Sequence, residues 1–295
     1  MPQIAANGIQ LEYVSFGPDS AQTVLLIMGL GAQMTRWPLP FIQQLVAKGY
    51  RVVTFDNRDV GLSHKCEEAG PADMQAVIAA RMTGATIPCA YTLDDMANDA
   101  VGLLGALHIR RAHIVGASMG GMIAQLIAAK HPDRTASLTS IMSSTGHPGL
   151  PQAKPEAMAV LMSPAPDEFK ALVEHTVKVL KLIGSPAFPP DEQMLKRQAI
   201  ADFNRSTYPV GVTRQMAAVV AGGDRREILK NVTAPTVVVH GTDDILVPVE
   251  HGRDTAAHIA GAELREIAGM GHDLPAALFP QFVDAIDSAA KRAQG

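Results

Sequence analysis

Cysteine is nearly absent. The 295 residues hold two, Cys66 and Cys89. That excludes a disulfide framework, and neither has the spacing of a metal-ligand set. An excess of one charge is also missing: 25 basic against 29 acidic residues, mixed along the chain, leave a net charge of −4. A nucleic-acid-binding stripe or a polybasic membrane patch is therefore not expected. No apolar run reaches the length of a membrane span. The opening Met1-Pro2-Gln3-Ile4 does not read as a signal peptide. There is no internal repeat and no low-complexity tract. The expectation is a cytoplasmic protein with a reduced interior; the sequence leaves a homo-oligomer open. What is abundant is apolar: 47% of residues are hydrophobic and 18% charged, enough for one large α/β core.

The chain is organised around residues 112–125. Ile114-Val115 reads as a buried strand, and Met119 to Lys130 as a helix ending before Pro132. Between them Gly116-Ala117-Ser118-Met119-Gly120 fits G-x-S-x-G, the nucleophile elbow. The chemistry needs those glycines because side chains there would strike neighbouring backbone. The sharp turn lifts the Ser118 hydroxyl out of the sheet. The helix that starts there aims the Met119 amide at negative charge forming above the serine.

The rest of the chain frames this turn. Ile4–Ala6 and Ile9–Phe16 flank Asn7-Gly8, a type I′ hairpin signal. Thr23–Met28 is a continuous apolar run expected as a strand covered on both faces, and Arg51–Phe55 is the next expected strand. Phe41–Lys48 is an expected helix. Thr92 and Asp95 form a capping box before a helix over Leu93–Leu107. Ser137–Met142 is a further strand. Nine of the chain's 20 prolines then fall between residues 144 and 230, among helical patches at Asp167–Ile183, Asp191–Asn204 and Val212–Val220. Their apolar faces point to a helical cap rather than a linker. Strand–helix alternation resumes with Thr236–His240, Val249–Ala260, Glu263–Ile267 and Pro275–Arg292. The expected architecture is a mainly parallel sheet flanked by helices, with the cap inserted after the sixth strand. Residues 1–143 and 231–295 would form the core, and 144–230 the cap.

A serine hydroxyl needs a base, usually histidine, and a carboxylate to orient that base. In the elbow architecture the order is serine, acid, histidine, on loops after later strands. The acid lies in Gly241-Thr242-Asp243-Asp244, just past a strand, where Asp243 and Asp244 compete. Either could instead cap the helix near Val249. The base is His272, in Gly269-Met270-Gly271-His272, past the final strand and ahead of Pro275. His113 and His240 adjoin strands and could lie near the site. The second oxyanion amide is expected in Met28-Gly29-Leu30-Gly31, with Leu30 N–H the best candidate.

With these residues in hand, the chain resembles α/β-hydrolase-fold serine hydrolases along nearly its whole length. Asp56-Asn57-Arg58-Asp59-Val60-Gly61-Leu62-Ser63 matches that superfamily's D-x-R-x-x-G-x-S loop. Its acid motif G-x-x-D-x-x-V-P, laid on Gly241–Pro248, puts the acid on Asp244. More narrowly the chain is similar to carboxylesterases of the aclacinomycin methylesterase type. The shared features are Met28–Gly31, Trp37-Pro38, Asn57–Asp59, Gly269–Pro275 and Arg214–Ala218. Many relatives carry His-Gly where this chain has Met28-Gly29.

The resemblance implies a cofactor-free, metal-free carboxylic-ester hydrolase using Ser118, His272 and Asp244, with Leu30 and Met119 amides as oxyanion hole. The same triad would serve a perhydrolase, lactonase, thioesterase or carbon–carbon hydrolase; a non-catalytic ligand receptor is the reading from another class. Serine at the nucleophile position argues against epoxide hydrolase and haloalkane dehalogenase. Met158, Met162, Met194 and Met216 are either core packing or the lining for a small ester with an apolar acyl group or ring.

Overall fold

Asn7 and Gly8 both adopt left-handed backbone, φ 49° and 78°. They close the hairpin of β1 (Gln3–Ala6) and β2 (Ile9–Phe16), the twist-matched solution for a two-residue turn. The computed structural model describes residues 2–161, 163, 166 and 168–294. Beyond the hairpin come β3 (Thr23–Ile27), α1 (Leu39–Ala47) and β4 (Arg51–Phe55). Next are α2 (Met74–Thr83), α3 (Leu93–Ala106), β5 (Ala112–Ala117), α4 (Met119–Lys130) and β6 (Thr135–Ile141). Both halves of the Thr92–Asp95 capping box are formed. Five helices follow: α5 (Pro155–Leu161), α6 (Phe169–Ile183), α7 (Glu192–Arg205), α8 (Pro209–Ala221) and α9 (Arg226–Leu229). The chain ends with β7 (Thr236–Gly241), α10 (Glu250–Ala257), β8 (Glu263–Ile267) and α11 (Phe279–Arg292).

The strands form one eight-stranded sheet in the order β1-β2-β4-β3-β5-β6-β7-β8. β1 and β2 are antiparallel to their neighbours, and every pair from β4 to β8 is parallel. The mainly parallel sheet flanked by helices is thus as expected. β3 and β4 are buried on both faces, which explains the unbroken apolar run Val24–Ile27 in β3; in β4 Arg51 and Thr54 are buried too. Period-two alternation sends Val24 and Leu26 to one side, with Phe41, Leu45, Phe282 and Ile286. Leu25 and Ile27 go to the other, with Leu103, Leu104, Ile123 and Ile127. Each such side chain contributes roughly 1.5–3 kcal/mol by leaving water.

β3 sits between β4 and β5, so chain order reverses there. In open parallel sheets that switch point leaves a crevice at the carboxyl ends of the strands. The loops after β3 and β5 emerge into it side by side, with Ile27 paired opposite Gly116.

Three helices lie outside the expected set: α2, which Asp73 caps and Gly84 ends, α5, and the single turn α9. In α2 only Val77 and Ala80 are buried, and in α5 only Ala157, so neither shows an apolar stripe. α8 begins at Pro209, earlier than the apolar pattern suggests, because proline suits the first helical turn. Met162, and Asp167 at the expected start of α6, lie outside the described residues. Among the described residues no helix is long and apolar enough to cross a membrane.

Candidate active site

Ser118 occupies the tip of the turn between β5 and α4 with φ 55° and ψ −122°, a conformation that side chains rarely adopt. Holding a non-glycine residue there costs roughly 1–3 kcal/mol. The surroundings enforce it. Ser118 N–H donates to Ile141 C=O at 2.9 Å, and Ser118 C=O accepts from Ser143 Oγ at 2.8 Å. A Cβ on Gly116 would stand 2.0 Å from the Gly120 carbonyl oxygen, and one on Gly120 2.1 Å from that of Ile27. Only glycine permits this turn against β3.

The structure brings Asp244 and His272 to this serine. His272 Nδ1 lies 2.7 Å from Asp244 Oδ2, and Nε2 lies 3.0 Å from Ser118 Oγ. A carboxylate only accepts, so Nδ1 carries the proton and Nε2 is left to accept from the hydroxyl. The other Asp244 oxygen accepts from the Leu246 and Val247 amides at 2.9 and 2.8 Å. Burial opposes ionisation of Asp244. Nearby His272 and His240 and the Val247 amide outweigh it and hold the carboxyl well below the usual range. Asp243 is exposed and points elsewhere: it accepts from Thr242 Oγ1 and from Gly269 N–H, stitching the acid loop to the histidine loop. Neither aspartate caps α10, whose N-cap is Val249.

The remaining histidines separate. His113 stands at the start of β5, hydrogen-bonded to Ser137 and Gln22 and pushed down to about 4, by burial and then by Arg111. It is a neutral core histidine remote from the carboxyl ends of the strands. His240 sits behind the acid. Its Nε2 donates to Val247 C=O at 2.7 Å and lies 3.6 Å from Asp244 Oδ2.

The two residues expected to supply oxyanion amides, Met119 and Leu30, belong to segments that adjoin Ser118. Met119 N–H belongs to the first turn of α4, where a helix leaves its donors without internal partners. Leu30 lies in the loop after β3. A Cβ on Gly29 would be 3.1 Å from the Ser118 Cβ, so this loop runs directly against the serine.

The sequence gives no sign of what steadies these loops. His272 N–H donates to Ile183 C=O at 2.7 Å, and Gly271 N–H to Ser185 Oγ at 2.8 Å. Ser185 Oγ in turn donates to the Asp273 carboxylate. The histidine loop is thus held by the segment after α6. Asn57 Nδ2 donates to Met28 C=O at 2.9 Å. Asp59, fully buried, is forked by Arg214 of α8, with both contacts at 2.7 Å. Composition carries no such information, because both partners are ordinary charged residues far apart in the chain.

Cys66 and Cys89 are free thiols. Despite its spacing, Cys66 comes within 4.8 Å of ligand atoms of His64 and Glu68. Burial, then Asp59, push its thiol up.

A strained serine over a helix N-terminus, backed by imidazole and carboxylate at the carboxyl edge of a parallel sheet, is the arrangement of a serine-type hydrolase. The chain belongs to the alpha/beta hydrolase fold family, whose model matches residues 22–275. Among characterised relatives it is similar to rhodomycin D methylesterase DnrP of Streptomyces peucetius. The two are 28% identical, over 96% of this chain and 95% of that one. Two solved structures share the fold. The enol-lactonase of Burkholderia xenovorans LB400 matches with TM-score 0.74 and 23% identity, over 98% of this chain and 100% of that one. The meta-cleavage product hydrolase CumD of Pseudomonas fluorescens IP01 matches with TM-score 0.76 and 20% identity, over 99% and 98%.

Proposed function

We propose that this hydrolase cleaves small carboxylic esters through a Ser118 acyl-enzyme. The observation that carries the reading is the continuous line from Ser118 Oγ through the His272 ring to Asp244. Ser118 attacks the ester carbonyl while His272 Nε2 takes its proton. Asp244 holds the tautomer and stabilises the imidazolium. The Leu30 and Met119 amides bind the oxyanion of the tetrahedral intermediate. On its collapse His272 protonates the leaving alcohol, and the acyl group stays on Ser118. Water, deprotonated by His272, then attacks the acyl carbon, and His272 returns the proton to Ser118 as the acid leaves.

Residues 144–230 are the cap in this reading and bound the substrate. The 28%-identical rhodomycin D methylesterase supports methyl esters as the first substrates to try.

Hydrolysis of p-nitrophenyl and methyl esters of graded size tests the reading. Ser118→Ala should melt where the wild type does and lose roughly 10⁵-fold or more in turnover. Turnover at the wild-type rate in that variant overturns the proposal.

A further inference from the structure

The loop that carries Leu30 is anchored on both sides. Before it, the Met28 carbonyl accepts from Asn57 Nδ2 at 2.9 Å. After it, Gly31 N–H donates to Gln215 Oε1 at 2.8 Å. Between the two anchors lies the Gly29–Leu30 peptide, whose N–H is the oxyanion donor in the reading above. Its own carbonyl, Gly29 C=O, accepts from Ala32 N–H at 3.3 Å, so the two side-chain anchors act on a glycine-flanked turn, with Gly31 at φ +64°, that is otherwise closed by one long hydrogen bond.

Gln215 comes from α8 and is fully buried. Its amide is used at both ends. Oε1 takes the Gly31 proton, and Nε2 donates to the Arg58 carbonyl at 2.7 Å. Turning the amide over would set N–H against N–H and C=O against C=O, so its orientation is fixed. Arg58 follows Asn57, and the adjacent Asp59 is forked by Arg214, the neighbour of Gln215. One side-chain amide thus ties the Leu30 loop to the very loop that holds its other end. Val212, one turn earlier on α8, lies over Gly31.

We propose that Gln215 is a positioning residue for catalysis. Acting through Gly31, it fixes the direction of Leu30 N–H before substrate arrives. The inference rests on the reading of Leu30 as an oxyanion donor. Such donors work because they are in place when charge develops on the oxygen; a donor a few tenths of an ångström off loses much of its effect.

Two variants test it. Gln215→Met keeps the length and removes both hydrogen bonds. Gln215→Glu keeps the acceptor for Gly31 and, when protonated, also the donor for Arg58. The readouts are kcat and KM on p-nitrophenyl acetate, the second-order rate of Ser118 labelling by a fluorophosphonate, and the thermal midpoint. Gln215→Met is expected to lose about 10- to 100-fold in kcat and in labelling rate, with KM within about threefold of wild type. Gln215→Glu, which keeps the acceptor for Gly31 whether or not it is ionised, should be labelled faster than Gln215→Met.

Wild-type labelling by Gln215→Met, or a loss confined to KM, overturns the inference and leaves Ser118 as nucleophile. If the methionine variant does not fold, Gln215→Asn, whose amide is one methylene short of Gly31, takes its place, and wild-type labelling by that variant overturns the inference. A wild-type protein that the fluorophosphonate does not label overturns both this inference and the reading beneath it.

Discussion

Asp244 and Asp59 are both buried carboxylates facing a nitrogen-bearing side chain, and both accept from backbone N–H groups. Asp244 accepts from Leu246 and Val247 and meets His272; Asp59 accepts from Cys66 N–H, Tyr91 Oη and Arg214. The difference lies in the partner. Imidazole exchanges a proton near neutrality and has a second nitrogen, which here reaches Ser118. Guanidinium stays charged and only donates. Arg214 spends its donors on Asp59, the Gly70 carbonyl and Tyr208 Oη. The first pair can move a proton out of the carboxylate's surroundings; the second is a fixed tie between α8 and the loop after β4. Burial of a charge pair therefore does not by itself mark catalysis. An unsaturated, titratable partner does.

That contrast can be broken most directly at Asp244. Asp244→Asn should cut kcat about 10⁴-fold, because the amide favours the wrong imidazole tautomer, while the melting temperature moves little. Kinetics and calorimetry on the same preparation check it; an active variant would make the pair at Asp244 structural. Arg214→Met should behave oppositely. It leaves Asp59 buried and unpaired, at a cost of about 3–5 kcal/mol in denaturant unfolding. The surviving folded enzyme should keep kcat within about tenfold of wild type, since the loss through Gln215 is indirect.

A smaller effect tests the electrostatics of the tie. Burial opposes the charge on Asp59, but Arg214, the Cys66 amide and Tyr91 prevail and hold its carboxyl below the usual 3.8. A depressed folded value gives stability that is full above 3.8 and is lost as pH falls through the folded value. The stability gap between wild type and Asp59→Asn should then be widest near neutral pH and close below pH 3.8. A gap that widens in acid contradicts the assignment. Smallest of all, Asp243→Asn should change kcat less than about threefold, since loss of an exposed hydrogen bond is worth roughly 1 kcal/mol or less.

Much of this was legible in the chain. The apolar runs in β3 and β7 read directly as covered strands, whereas β5 offers only Ile114-Val115 and is recognised with the turn that follows it. The Thr92–Asp95 box and the Asn7-Gly8 turn are local chemistry that acts within four residues, so sequence carries them whole. Ser118 and His272 stand out because tight turns leave a glycine pattern. Between Asp243 and Asp244 spacing is silent, and the choice came from motif alignment; in the structure one oxygen reaches the ring and the other aspartate faces Gly269. α2 has a capping Asp73 and a terminating Gly84, but the apolar pattern does not reinforce them, because α2 and α5 bury only Val77, Ala80 and Ala157.

The sequence by itself determined the elements, their alternation and the turn that strains Ser118, since these depend on backbone sterics and on contacts close along the chain. The tertiary structure alone decided which distant side chains meet: Gln215 with Gly31, Arg214 with Asp59, Ser185 with the histidine loop. Such pairings depend on where helices come to rest in space. A buried glutamine or arginine carries no local mark of the partner it will find.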